Sequence, residues 1–232
     1  VVLQAEEGRL TTPAVRVLRV LVATAVPAER DAVARAFTVP FPGDVLAVGV
    51  GPARAAAHTA TALARASYDL VISAGIGGGF QPSAPVGSLV VADEITAADL
   101  GAETPDGFLP VTELGFGAVT HRPPDSLVRE LAAATGARTG AVLTVSTVTG
   151  TAARAAALLE RHPTALAEAM EGFGVAEAAA AHGVPVLEIR AVSNPVGPRD
   201  RAAWRIADAL DALTEGFGKL APVLESWNRH DR

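Results

Sequence analysis

Val-rich apolar segments that alternate with Ala-rich stretches of helical spacing constrain this chain more than any other feature. Residues 17–23, 45–50, 70–74, 88–95, 141–147 and 186–193 read as buried strands, and 27–37, 52–67, 124–135, 151–161, 173–182 and 200–220 as helices. Strands separated by helices need crossover connections. The pattern therefore predicts an α/β fold: a three-layer α/β/α arrangement with a central, twisted, mixed sheet covered on both faces. Such sheets take their ligands at the carboxyl ends of strands. That rule selects Glu29, the turn 49–51, the turn 75–79, the segment 147–150, Met170 with Glu171, and Asn194. Residues 99–122, rich in Gly and Pro and carrying Phe108 and Phe116, are the longest stretch with neither period, as expected of a lid or binding loop.

At 232 residues the chain suits one large domain, expected over 16–232, with 1–15 a loose leader that lacks the pattern of a secretory signal. Half the residues are hydrophobic. Even so, Gly, Pro or charge breaks every apolar run well short of the roughly 20 residues that span a bilayer, so a soluble protein with no membrane partner is expected. A net charge of -6 with no Lys/Arg cluster argues against nucleic acid, whose phosphates demand concentrated positive charge. The absence of cysteine removes disulfides, thiolate nucleophiles and Cys-ligated metals, and fits a cytoplasmic location. The five histidines show no His-x-x-x-His or Glu-x-x-His pairing, so no metal is expected. A small molecule is the expected partner.

Two glycine clusters invite a dinucleotide reading that their context opposes. In Gly49-Val50-Gly51-Pro52-Ala53-Arg54 an arginine stands where the third glycine of the fingerprint belongs. After Gly75-Ile76-Gly77-Gly78-Gly79, the run Gln81-Pro82-Ser83-Ala84-Pro85 cannot start the helix that would hold a pyrophosphate. Either cluster serves as a tight turn or as a place where backbone approaches ligand. Glu29, two residues after Pro27, is in isolation a carboxylate favoured by a helix N-terminus; at the end of the first strand it is also placed to act as a general base. Glu171 follows Met170 at a strand-to-helix junction, with Glu168 and Glu177 nearby read as solvated. Asn194, before Pro195, forms an ordinary Asx turn or presents an amide that both donates and accepts to a purine edge. Ser73 and Ser193 lack the setting of a nucleophile elbow.

Taken in order, these residues resemble the nucleoside phosphorylase and nucleosidase superfamily. The likeness runs over about 16–224 and is carried by 25–33, 48–57, 73–79, 86–94, Ala169-Met170-Glu171 and 189–194. It points to the hydrolase branch that contains methylthioadenosine/adenosylhomocysteine nucleosidase. Within that branch, segments 98–108 and 144–151 are similar to those of the futalosine hydrolases of menaquinone biosynthesis. The resemblance implies that Glu29 activates the attacking water, Glu171 binds the ribose hydroxyls with Met170 beneath the sugar, and Asn194 meets the base. Adenine-specific nucleosidases carry aspartate at that last position, so asparagine favours hypoxanthine as the leaving base. It further implies that Gly75, Ile76 and Gly77 approach the substrate and that Val148 and Thr149 flank the base. Trp204, otherwise a core helix residue, would lie against the substrate, and Phe108 with Trp204 would enclose the aromatic 5′ substituent. No cofactor is implied; a homodimer is. The turns carry no arginine cluster of the kind that holds phosphate, which favours water over phosphorolysis. A methylthioadenosine-type nucleosidase, a phosphorylase and a non-catalytic nucleoside-binding domain stand as alternatives.

Overall fold

The computed structural model describes residues 18–37 and 41–230; the expected leader, 1–15, lies outside them. The strands are β1 (Val20–Thr24), β2 (Gly43–Ala47), β3 (Leu70–Gly79), β4 (Leu89–Ala97), β5 (Gly101–Thr104), β6 (Gly107–Pro110), β7 (Thr120–His121), β8 (Arg138–Thr144), β9 (Ala165–Ala169) and β10 (Val186–Pro195). The helices are α1 (Pro27–Arg35), α2 (Pro52–Arg65), α3 (Asp125–Thr135), α4 (Ala152–Arg161), α5 (Gly172–Ala181), α6 (Ile206–Gly218) and α7 (Leu220–His230). No helix among the described residues is long and apolar enough to cross a membrane.

The period-two alternation of side chains along the strands sorts the core into two layers. In β1, Val20 and Val22 pack with α1, α3, α6 and α7, together with Leu187 and Ile189 of β10. Leu21 and Ala23 point the other way, toward α2 and α5. The expected α/β architecture, a mixed sheet with helices on both sides, is the one found. Helix boundaries follow local chemistry. Proline opens α1 and α2, Thr151 accepts a hydrogen bond from Arg154 N to cap α4, and Gly136 in the left-handed region ends α3.

The sheet runs β10-β4-β8-β9-β3-β1-β2, and β3 also pairs with β10, so five strands close on themselves while β1 and β2 extend from β3. β3 pairs with β1 through its first residues, Leu70 to Ser73, and with β9 only through Gly78 and Gly79, opposite Glu168 and Ala167. The carboxyl ends of β3 and β9 therefore overlap. This closure brings Met170-Glu171 beside the glycine segment of β3.

Four sequence expectations need correction. Residues 75–79 are strand rather than turn, and none of these glycines has a positive φ. They are small because neighbours press close: a Cβ on Gly77 would lie 2.8 Å from the Glu168 carbonyl oxygen. Residues 99–122 are not without strand, since they hold the β5–β6 hairpin and β7, each too short to show a period. The helix expected over 200–220 is a short 3-10 turn, Arg201–Ala203, followed by α6, with α7 starting after Lys219. Finally, β9 supplies a strand that alanine-rich sequence did not announce.

Candidate active site

Glu29 lies in the first turn of α1 and is 4% exposed. Its Oε2 accepts from Ala25 N at 2.9 Å and Val26 N at 3.2 Å, and its Oε1 from Ile76 N at 2.9 Å. One carboxylate thus caps the helix and crosses to β3. Burial pushes its pKa above the ordinary value of 4.5; the Arg190 guanidinium and the Ile76 N–H oppose that rise, and Glu171 adds to it. Glycine at 75 is required here, because a Cβ would sit 2.6 Å from Glu29 Oε1 and 2.8 Å from Arg190 Nη1.

Glu171, also nearly enclosed, enters α5. Its Oε1 accepts from Gly51 N at 3.2 Å, and its Oε2 lies 3.4 Å from Arg190 Nη1. Gly51, with φ 91°, turns that N–H toward it from the start of α2, a conformation that disfavours other residues. The glycine cluster 49–51 therefore serves a carboxylate rather than a pyrophosphate.

Arg190 is the side chain that sequence reasoning missed. Fully buried in β10, it donates from Nε to Glu188 Oε1 at 2.8 Å and from Nη2 to Ser73 Oγ at 3.0 Å, besides reaching Glu171. Burial presses its pKa down, but Glu188, Glu171 and Glu29 around it outweigh that, and the net shift is upward. Glu188, wholly buried, has its own pKa raised by burial against the pull of Arg190, and its Oε2 has no hydrogen-bond partner among the described residues. The signal was present in the sequence. Glu188 and Arg190 are opposite charges two residues apart in an apolar strand, so they share one face, and buried charges must pair.

Asn194 ends the same strand, after a register shift between Val192 and Asn194 that re-aims the chain. Its Oδ1 accepts from Ser193 Oγ at 2.8 Å and its Nδ2 donates to Pro195 O at 2.9 Å. The amide keeps one hydrogen and one lone pair for a ligand. Gly78 pairs with Asn194 on one side and Glu168 on the other, which sets these two residues across β3.

Glu168 is not solvated as expected. It is buried, with its pKa raised by burial against hydrogen bonds from Thr149. It accepts from Thr149 N at 2.8 Å and from the Thr149 hydroxyl. Thr149 is thereby turned inward to Glu168, while Val148 beside it is 36% exposed. Glu177, by contrast, is exposed and pairs with His121. Met170 lies half-buried before Glu171. Trp204, expected against the substrate or else in a core helix, is in no helix: it follows the 3-10 turn and is half-exposed; Arg205 N donates to Ser193 O at 2.8 Å and ties this turn to the end of β10. Phe108 sits apart from these contacts, in β6, with its ring 4.3 Å from the Arg161 guanidinium. The groove there, about 480 Å³, is lined by Asp99, Gly101, Arg154 and Arg161.

Three buried carboxylates around one guanidinium, an amide at the end of the strand that carries it and glycine backbone between them can hold a polar substrate and move a proton. Comparison with known proteins agrees in kind. The chain matches the family described as the phosphorylase superfamily over residues 25–226. It is 73% identical to futalosine hydrolase of Streptomyces coelicolor, over 93% of this chain and 100% of that one. It is 36% identical to futalosine hydrolase of Thermus thermophilus, over 75% and 79%. Among solved structures, the native futalosine hydrolase of Helicobacter pylori aligns with TM-score 0.72 at 17% identity, covering 90% and 97%. A 5′-methylthioadenosine/S-adenosylhomocysteine nucleosidase of Colwellia psychrerythraea in complex with adenine gives 0.72 at 21% identity, covering 91% and 96%. At those identities the structural likeness speaks for the fold.

Proposed function

The chain belongs to the phosphorylase superfamily, and with that as premise we propose that it is an N-glycosyl hydrolase that cleaves futalosine to hypoxanthine and dehypoxanthine futalosine in menaquinone biosynthesis. The observation that carries this is the 73% identity to a futalosine hydrolase whose whole length the alignment spans.

Breaking the N-glycosidic bond builds positive charge on the ribose and leaves the bonding electron pair on the purine, so catalysis needs stabilisation at both ends. Glu29, whose burial makes it a stronger base, takes a proton from water as oxygen bonds to C1′. Glu171, fixed by Gly51 N and Arg190, accepts from the 2′ and 3′ hydroxyls, with Met170 under the sugar. Asn194 donates to N7 or O6 of the departing hypoxanthine, and Val148 flanks the base. Gly75, Ile76 and Gly77 keep backbone close to the ribose. Water rather than phosphate is the nucleophile in this reading: residues 73–79 contain no basic side chain, and Arg190 is already committed to Glu188, Ser73 and Glu171.

The test is incubation with futalosine in phosphate-free buffer, where free hypoxanthine is expected. Turnover that appears only after phosphate is added would make the protein a phosphorylase. Ligand-induced stabilisation with no product would make it a binding domain. We read the working form as a cytoplasmic homodimer. Supporting this, segment 99–122 exposes Leu100, Leu114 and Phe116, an amount of apolar surface that suits burial against a second copy.

A further inference from the structure

Glu168 is a buried carboxylate to which the proposed reaction gives no task. It is 4% exposed, as enclosed as Glu29, yet no guanidinium pairs with it: Arg154 faces Asp99 at 4.0 Å and acts on Glu168 only at longer range. Its hydrogen bonds come from a single residue, Thr149 N donating to Oε1 and the Thr149 hydroxyl to Oε2. A carboxylate offers about four lone-pair positions. Those left over, in a buried charge, favour a further donor.

Strand register says what lies in front of it. Gly78 of β3 pairs with Glu168 of β9 on one side and with Asn194 of β10 on the other. Residues directly opposite in paired strands share a face. A Cβ on Gly78 would lie 3.4 Å from Asn194 Nδ2, so the amide stands on the face that this glycine leaves open. Glu168 belongs to the same face, two strand spacings from Asn194, roughly 10 Å between backbones. A flat bicyclic ring over Gly78 fits between the two side chains.

The two walls of this slot differ in hydrogen-bonding sense. Asn194 keeps one hydrogen on Nδ2 and one lone pair on Oδ1. On the opposite wall Thr149 has spent its N–H and its O–H on Glu168, and the carboxylate form, which those donors favour, presents acceptors only. A ligand edge with an N–H suits that wall, and an edge with a bare lone pair is repelled by it. Hypoxanthine carries a hydrogen on N1, next to the O6 carbonyl; adenine carries a lone pair there.

We propose that Glu168, held by Thr149, is a specificity-determining residue of the base pocket, its carboxylate accepting the N1–H of a 6-oxopurine. This rests on the nucleosidase reading and deepens it: Asn194 meets N7 or O6, and Glu168 rejects the 6-aminopurine at N1. The role that competes is a purely structural one, tying segment 147–150 to β9, which would affect every base alike.

The experiment measures kcat/KM for futalosine, its 6-amino counterpart and its N1-methyl derivative in the wild type, in Glu168→Gln and in Thr149→Val. The wild type is expected to favour futalosine over each of the others by about tenfold or more, the scale of a hydrogen bond to a buried charge. In Glu168→Gln, whose amide can turn a donor toward N1, the preference over the 6-amino compound is expected to fall by about tenfold or more, while Thr149→Val retains it. Equal use of the N1-methyl compound by the wild type overturns the assignment. So does a Glu168→Gln protein that loses activity uniformly and keeps the wild-type ratios, or a fall in Thr149→Val alone. Should Glu168→Gln fail to fold, the wild type decides by NMR with hypoxanthine isotope-labelled at N1: its bound N1–H is expected downfield of the free position and slow to exchange with water. A bound N1–H at its free position overturns the assignment. Release of hypoxanthine from none of the nucleosides is the separate failure of the nucleosidase reading.

Discussion

At the scale of single residues, the site is an exercise in placing carboxylates where water cannot relax them. Glu29 satisfies a helix start and accepts from three backbone N–H groups, so its capping role is met, and its proposed role as base is what a pH profile tests. Because burial raises its pKa above 4.5, and the base must be ionised to accept a proton, activity is expected to fall as pH drops through a value above the ordinary carboxylate range. A kcat/KM profile should show that limb in the wild type. Glu29→Gln should lower the rate by about a hundredfold or more and abolish the limb, whereas near-normal turnover would return Glu29 to a capping role. Asn194→Asp replaces a donor by an acceptor at the purine edge and should shift preference toward 6-aminopurine nucleosides. Competition between futalosine and its 6-amino counterpart reads that shift, and an unchanged ratio would remove Asn194 from base recognition.

At the scale of elements, β10 carries the buried Glu188–Arg190 pair and Asn194. Its one face packs Leu187, Ile189 and Ala191 into the core, and its other face sets Glu188 and Arg190 beneath the site. Removing one member of a buried ion pair leaves the other unpaired, so Glu188→Ala should destabilise the protein by about 3 kcal/mol or more in urea unfolding. It should also reduce activity, because Arg190 loses the contact that fixes its direction toward Glu171. A stability within a few tenths of a kcal/mol of wild type would mean the pair is structurally idle. The glycines of β3 play the complementary part by leaving room where side chains from α1, β9 and β10 converge. Pro27 and Pro52 each start a helix, within a turn of Glu29 and of Gly51 respectively, which is why these two helix starts were readable from local sequence.

At the scale of the whole molecule, the closed sheet gathers the carboxylates, and the segment 99–122 carries exposed apolar surface. Phe116 is 69% exposed, with Leu100 and Leu114 on the same segment also open. If a second copy covers this surface, Phe116→Asp should convert a dimer into a monomer by light scattering and raise KM for the nucleoside. A wild-type monomer, or a variant that stays dimeric, would place the interface elsewhere. Sequence alone determined the alternation of strands and helices, hence the α/β class, because hydrophobic period is a local property of the chain. It also singled out Glu29 and Asn194, since each follows a strand readable in the sequence and strand ends face ligands, and Glu171 through the likeness carried by Ala169-Met170-Glu171. Only the tertiary structure decided that β3 runs on through its glycines to close against β9 and β10, and that Arg190 lies among Glu29, Glu171 and Glu188. It alone turned Glu168 inward to Thr149 and set Trp204 beside Arg199 and Arg201. Those facts depend on which strands become neighbours, and long-range pairing leaves no period in the sequence from which to read it.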